Sequence, residues 1–354
     1  MRRAIPAILI IFFILSTAQT SQAQNYYGKK KFEPFLTRGE TTWSLSTGIR
    51  NNKTDFQSAS DTTGNATPNV FLQAQFDDIT FVELKGKVRH VEPVDIAFIN
   101  GGIQAEAELT GGYIVDGFNL FSAFAGDNRT GVFVRQGTSA LEGDAIGINA
   151  SVGYKIDLTG TPASKARRIL TTREPTTLSG KMKKRAALRK ALRQAGPYIS
   201  VTPLVGYGYD QQSYLVREGF EVIPDFEDNT YDAEYITDWY GPFFGLEGEI
   251  KNKKHMLRVR GQYHDLSFDA ALTDNTDGST IENEADGEGV TLSAEYAYAL
   301  EDDIALTLEG FLQSRQADEG TATDSFAIPA REVKVYELSD ESQALRIGVR
   351  YNWD

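Results

Sequence analysis

Three histidines and no cysteine stand in the 354-residue sequence, so the side chains able to move protons near neutral pH are few. His264 sits next to Asp265 and close to Asp269, and an imidazole held by a carboxylate can activate water as a general base. His90 and His255 lie beside short polar turns. Carboxylates crowd two stretches: Asp225, Glu227, Asp228, Asp232 and Glu234, then Asp274, Asp277, Glu282, Glu284, Asp286 and Glu288. Either stretch could gather a divalent cation. The ligand spacing of a helix-flanked calcium loop is missing, however, so a solvated acidic face is expected, with no metal and no cofactor.

The elements that position these groups follow a two-residue rhythm. In the closing stretch, Leu345, Ile347, Val349, Tyr351 and Trp353 share one face, and Arg346, Gly348, Arg350 and Asn352 share the other. The pattern recurs along the chain, with small and charged residues on the second face each time. That suits a transmembrane β-barrel, apolar towards lipid and polar towards the lumen.

Residues 1–23 read as an export signal: basic Arg2 and Arg3, an apolar run from Ile8 to Leu15, and the small-x-small site Ser21-Gln22-Ala23. Cleavage is expected after Ala23 or after Gln24. No other stretch approaches the roughly 20 apolar residues of a spanning helix. Without cysteine the chain cannot be a disulfide-stapled extracellular domain. The net charge of −13 argues against a nucleic-acid partner.

Residues 24–354 divide into about ten strands. The clearest are Thr42–Ile49, Asn69–Val91, the stretch through Ile103 and Leu109, Ile146–Leu158, Tyr198–Tyr209, Phe243–Ile250, Met256–Phe268, Val290–Leu300, Ile304–Gln316 and the closing strand. Pro203 removes a ladder donor from the fifth and predicts a bulge there. Short connections at Pro93, Asn252 and Asp302 alternate with five longer ones, Asn51–Pro68, Phe118–Asp144, Val216–Tyr240, Asp274–Gly289 and Ala317–Glu341. Outer-membrane barrels show this asymmetry, which places the short turns in the periplasm and the long loops outside. Trp43, Trp353 and strand-end tyrosines fit interfacial girdles; Asp354 departs from the usual terminal aromatic of such barrels.

About ten strands leave little open lumen, since roughly 16 are needed for a water-filled channel. The lumen face carries both signs: Glu106, Glu108, Glu247, Glu249, Glu295 and Glu309 against Lys85, Lys87, Lys155, Arg258, Arg260, Arg346 and Arg350. A cross-lumen network of ion pairs is expected to fill the barrel. A charged conduction path is the alternative.

Four segments carry a family likeness: NVFLQAQFDDITFVELKGK from Asn69 to Lys87, Gly126-Asp127-Asn128-Arg129-Thr130, ISVTPLVGY from Ile199 to Tyr207, and YGPFFGLEGE from Tyr240 to Glu249. In order and spacing they resemble the omptin-like outer-membrane proteins, which are similar to the omptin proteases. The resemblance spans roughly Thr41 to Trp353, apart from a basic insert. It implies a ten-stranded barrel with long outer loops. In omptins proper it implies cleavage near basic residues by an Asp-x-Asp on the second loop facing an Asp-x-His on the fourth. This chain departs at both places. Asp127 stands alone on the second loop, the fourth has no histidine, and Gln262 lies two before His264. The resemblance therefore implies a non-proteolytic relative, with His264, Asp265 and Asp127 as the residual catalytic candidates.

The basic insert, residues 161–196, falls between the fourth and fifth strands on the short-turn side. It carries Lys181, Lys183, Lys184, Arg185, Arg189, Lys190 and Arg193. Leu188 and Leu192 lie one helical turn apart, and Gly196-Pro197 is a suitable stop. A cationic amphipathic helix there could lie on an anionic leaflet or meet another anionic component of the envelope; a solvated turn insertion is the plain alternative. The expected partners are outer-membrane lipid, including lipopolysaccharide, and the barrel-assembly machinery. Three roles remain open: a structural or surface-interaction barrel without catalysis, a small passive pore, and an omptin-type endopeptidase with a degenerate site.

Overall fold

The computed structural model describes residues 40–94, 101–158, 177, 179–180, 182–184, 186–187, 197–221, 232–252, 254–275, 278–301, 303–324, 331–336 and 338–353. The proposed signal peptide lies outside them, as do most of the basic insert, Asp302 and Asp354. Among the described residues twelve strands form one antiparallel sheet. They are β1 (Glu40–Ser58), β2 (Leu72–Pro93), β3 (Gly101–Gly126), β4 (Thr130–Asp157), β5 (Tyr198–Glu221), β6 (Asp232–Asn252), β7 (His255–Asp274), β8 (Thr280–Ala299), β9 (Ile304–Ala317), β10 (Gly320–Asp324), β11 (Arg331–Val335) and β12 (Leu338–Trp353). β1 pairs with β12 from Thr41↔Trp353 to Asp55↔Ser339, and this closes the sheet into a barrel. β9 and β10 both pair with β8, one above the other. β12 and β11 both pair with β1 in the same way. Each of these pairs is one interrupted stave, so the wall has ten.

Alternation follows from closure. Towards the short-turn end, large apolar side chains cover the outside: Leu45 is 58% exposed, Phe244 62% and Ile347 63%. Water would penalise such a continuous belt heavily, whereas hydrocarbon does not. On the opposite face of the same strands, Ser46, Glu247 and Arg346 are buried inside.

The strands are much longer than the sequence suggests. β4 runs for 28 residues and β3 for 26, against the roughly 9–11 that cross a bilayer. Three of the expected outer loops, Phe118–Asp144, Val216–Tyr240 and Asp274–Gly289, are strand over most of their described residues, Asn51–Pro68 is strand only as far as Ser58, and Ala317–Glu341 contains β10 and β11. On β7 the phase does not slip at the upper edge of the belt, but the polarity inverts. Leu257, Val259 and Tyr263 face out below, with Arg258, Arg260 and His264 inside. Above, Asp265 and Asp269 lie on the outer face, while Leu266, Phe268 and Ala270 are buried within. Outside hydrocarbon a sheet must be polar outward and apolar inward, so loss of the greasy outer face marks the end of the membrane and not the end of the strand.

The inverted part encloses an aromatic core of Phe56, Phe76, Phe81, Tyr214, Tyr235, Trp239 and Phe268. Phe76 stacks on Tyr214 and Tyr235, with centroids 4.8 and 5.2 Å apart. A bulge in β2 makes this possible. Its register shifts between Asp77 and Phe81, around Asp78 at φ 54°. Below it Phe81 and Glu83 point inward; above it Leu72, Ala74 and Phe76 do. One extra residue has turned the upper strand over. No such bulge occurs at Pro203. Its ladder to β6 is unbroken, and the ladder to β4 omits 202–203, the side on which proline lacks its donor.

Candidate functional site in the barrel lumen

Because each inward residue is two positions from the next, adjacent staves stack their charges in layers across a narrow lumen. Nearest the short-turn end, Glu249 accepts from Lys155 at 2.6 Å and Arg258 at 2.9 Å, and Glu295 meets Arg258 and Arg350 at 3.1 Å each. Higher up, Arg260 bridges Glu106 at 2.6 Å and Glu247 at 2.5 Å. Lys85 lies 2.9 Å from both Glu108 and Glu309, and Lys87 lies 2.9 Å from Glu295. Arg346 spans Glu83 at 2.6 Å and Glu309 at 3.1 Å. All the lumen charges named from the sequence therefore meet a partner of opposite sign. Each group is removed from water, and only these close pairs offset the cost of that.

Six further charges belong to the same system. Arg89 contacts Glu247 at 2.7 Å, and Arg50 lies 3.0 Å from Glu83 and 4.6 Å above the Phe81 ring. Arg315 pairs with Asp340 and Asp210 and sits 5.0 Å over the Trp239 ring. Glu83 and Arg89 were legible, since they alternate with Val82, Leu84 and Val88 on the strand that supplies Lys85 and Lys87. Asp340 was not, because it falls in a stretch that carries no lipid-facing rhythm. Between the charge layers and the aromatic core is a polar chamber of about 100 Å³, lined among others by Asn149, Gln262, His264, Thr291 and Gln313. That is room for several waters.

The acid–base candidates are not brought together. His264 is buried inside, its Nε2 3.0 Å from Thr291 Oγ1 and its ring 5.2 Å from Phe243. Asp265 and Asp269 lie on the opposite face of β7, where adjacent and odd-spaced residues must point. Asp269 accepts the Tyr240 hydroxyl at 3.1 Å. The residual candidate dyad of His264 with Asp265 or Asp269 is not assembled, for this reason. Asp127, at the exposed β3–β4 tip, accepts the Asn69 amide at 3.0 Å and the Thr67 hydroxyl at 3.1 Å, which ties two turns together. His90 and His255 stay at the short-turn end, bonded to Thr41 and Tyr296. Glu282, Glu284, Asp286 and Glu288 lie on the outer face of β8, and no metal-sized group of ligands forms among the described residues. In the basic insert the described residues 179–180, 182–184 and 186–187 are helical apart from their gaps, Lys183 and Lys184 among them. Lys181, Arg185, Arg189, Lys190 and Arg193 fall outside the described residues.

A closed antiparallel barrel with an apolar outer belt and a charged lumen defines the class: the chain is an outer-membrane β-barrel protein. More particularly, residues 190–349 match the family described as Pom, Protochlamydia outer membrane protein. No curated protein matches the chain. Among solved structures it is similar to the outer membrane protease OmpT from Escherichia coli, with a TM-score of 0.60 at 11% identity, covering 90% of this chain and 98% of that one. The translocator domain of the autotransporter NalP from Neisseria meningitidis aligns at a TM-score of 0.32 and 12% identity, over 95% and 96% of the two chains. At these identities the likeness to OmpT is one of fold, and the omptin likeness is a distant structural one.

Proposed function

We propose that the protein is an integral outer-membrane barrel with a structural or surface-interaction role and no catalysis, its lumen closed by its own side chains. The observation that carries this is the double closure: layered ion pairs across the lumen, then an aromatic core above them. In this reading the two layers together close the aqueous path, because a buried pair held by several close contacts is costly to open. In this reading the apolar belt contacts outer-membrane lipid, including lipopolysaccharide, and the acidic upper wall faces the exterior. The closing strand β12 is what the assembly machinery engages, and the basic insert meets an anionic envelope component from the periplasm. Planar-bilayer recording on refolded protein tests the closure. The expected trace shows no steady conductance; a reproducible ohmic step from the unaltered chain would establish the passive-pore reading in its place.

The fold shared with a protease favours one competing reading, an endopeptidase with a degenerate site. Against it stands the separation of His264 from any carboxylate on its own strand face. Dibasic peptides incubated with the refolded barrel are expected to remain intact. Cleavage that disappears in His264→Ala would restore the peptidase.

A further inference from the structure

The lipid-facing belt is not evenly filled. A groove of about 2300 Å³ crosses it on the outside of the barrel. Small residues make its floor, Gly86, Ala107 and Ala150, and a Cβ at Gly86 would meet no atom within 4 Å. Trp43, Val88, Ala107, Ala150, Tyr207 and Pro242 are successive ladder partners on this face. Trp43 lies near the start of β1 and Pro242 midway along β6. The row therefore climbs from the short-turn rim towards the upper edge of the belt, as strand tilt requires. An ordinary small-molecule pocket holds about 300–1,000 Å³. This groove has the length for an extended apolar chain.

Its upper end has a different chemistry. Asp238, Asp265, Asp269, Glu282 and Glu284 line it there, beyond the greasy outer face. Asp238 accepts the Tyr209 hydroxyl at 2.7 Å and the Gln211 amide at 3.0 Å, which fixes the carboxylate without cancelling its charge. The basic residues of the lining are elsewhere. Lys87 points into the lumen, 2.9 Å from Glu295, and His90 lies at the short-turn end. Opposed carboxylates cost a sheet stability, and a cation beside them removes that cost.

We propose that the groove binds a cationic amphiphile, its apolar chain over Ala150 and Ala107 towards Trp43 and its positive head among Asp238, Asp269 and Glu284. On β7 the belt ends between Tyr263 and Asp265, so the chain stays in hydrocarbon and the head lies just outside it. A phosphorylated lipid head is repelled there. So is a second copy across a two-fold axis, which would set the acidic row against itself. The inference deepens the surface-interaction reading and rests on it. It makes no use of lumen closure, so binding and conductance fail separately.

The test uses the full chain refolded in phosphatidylcholine nanodiscs and two spin-labelled probes of equal chain length, an alkyltrimethylammonium and an alkyl sulfate. The protein-immobilised fraction of each paramagnetic spectrum gives its relative association. The cation is expected to associate about fivefold more strongly, the worth of one close charge pair in water, and the preference to shrink as salt rises. Asp269→Asn/Glu284→Gln should abolish it. Asp78→Asn/Asp116→Asn, which removes as much exposed charge from β2 and β3, should not. Ala107→Phe should weaken binding of the cation by filling the floor. Equal association of the two probes overturns the proposal, as does a preference that survives Asp269→Asn/Glu284→Gln or falls as far in the other pair. Unchanged cation binding in Ala107→Phe overturns it too. Should that variant not refold, Ala150→Leu takes its place with the same expected loss.

Discussion

Glu247 shows what a single lumen residue does. Fully buried, it lies within reach of Arg260 at 2.5 Å, Arg89 at 2.7 Å and Arg258 at 3.6 Å. Three guanidinium groups from β2 and β7 are thus held by one carboxylate on β6. Glu247→Ala leaves those cations facing one another without water, and breaking a buried pair of this kind costs about 3–5 kcal/mol. The expected outcome is a large fall in the denaturant midpoint, with Glu247→Gln falling less because it retains a carbonyl acceptor. An unchanged midpoint in Glu247→Ala would show that solvent reaches this layer and that the lumen is more open than its contacts imply. His264 is the complementary lesson. Beside Asp265 in the sequence it suggests a base with its orienting acid, yet on a strand adjacent residues cannot share a face.

At the scale of strands, the outer wall above the belt places like charges side by side. Asp238 on β6 is directly opposite Asp269 on β7, and Asp269 directly opposite Glu284 on β8. Directly opposed like charges weaken a sheet. Asp269→Asn keeps an acceptor for the Tyr240 hydroxyl and removes the central charge of the row. It is expected to stabilise the barrel by about 0.2–1 kcal/mol, with the gain shrinking as salt rises because these groups are solvated. Unfolding midpoints at low and high salt check both parts. The bulge at Asp78 is the other device at this scale: without the extra residue β2 would deliver its upper aromatic side chains to the outside.

For the molecule as a whole, the belt and the core assign the tryptophans to different media. Trp43 is 36% exposed on the outer face near the short-turn rim, while Trp239 is 2% exposed inside the inverted part. In vesicles of brominated lipid, the unaltered protein should lose fluorescence by contact quenching. A Trp43→Phe/Trp353→Phe variant, retaining Trp239 alone, should be nearly insensitive. Strong quenching of that variant would put the aromatic core against lipid and reverse the assignment of inside and outside.

Much of this architecture is written locally. The alternation of Leu345, Ile347, Val349 and Tyr351 with Arg346 and Arg350 needs only the strand period and a bilayer to become a lipid-facing stave, and its recurrence sets the number of staves near ten. The same alternation names which charges enter the lumen. It does not name their partners: Arg346 meets Glu83 because β12 closes on β1 and β2 lies next to it, a fact of closure and stagger with no local trace. Nor could the sequence show that the strands continue beyond the membrane, since hydrophobic rhythm was the marker and there it changes sign. Phe76, Tyr235 and Trp239 look like loop aromatics until the wall they belong to is seen to curve around them. Local periodicity is a property of one strand, whereas an aromatic core inside the wall and a paired lumen are properties of ten strands at once, and only the tertiary structure holds that information.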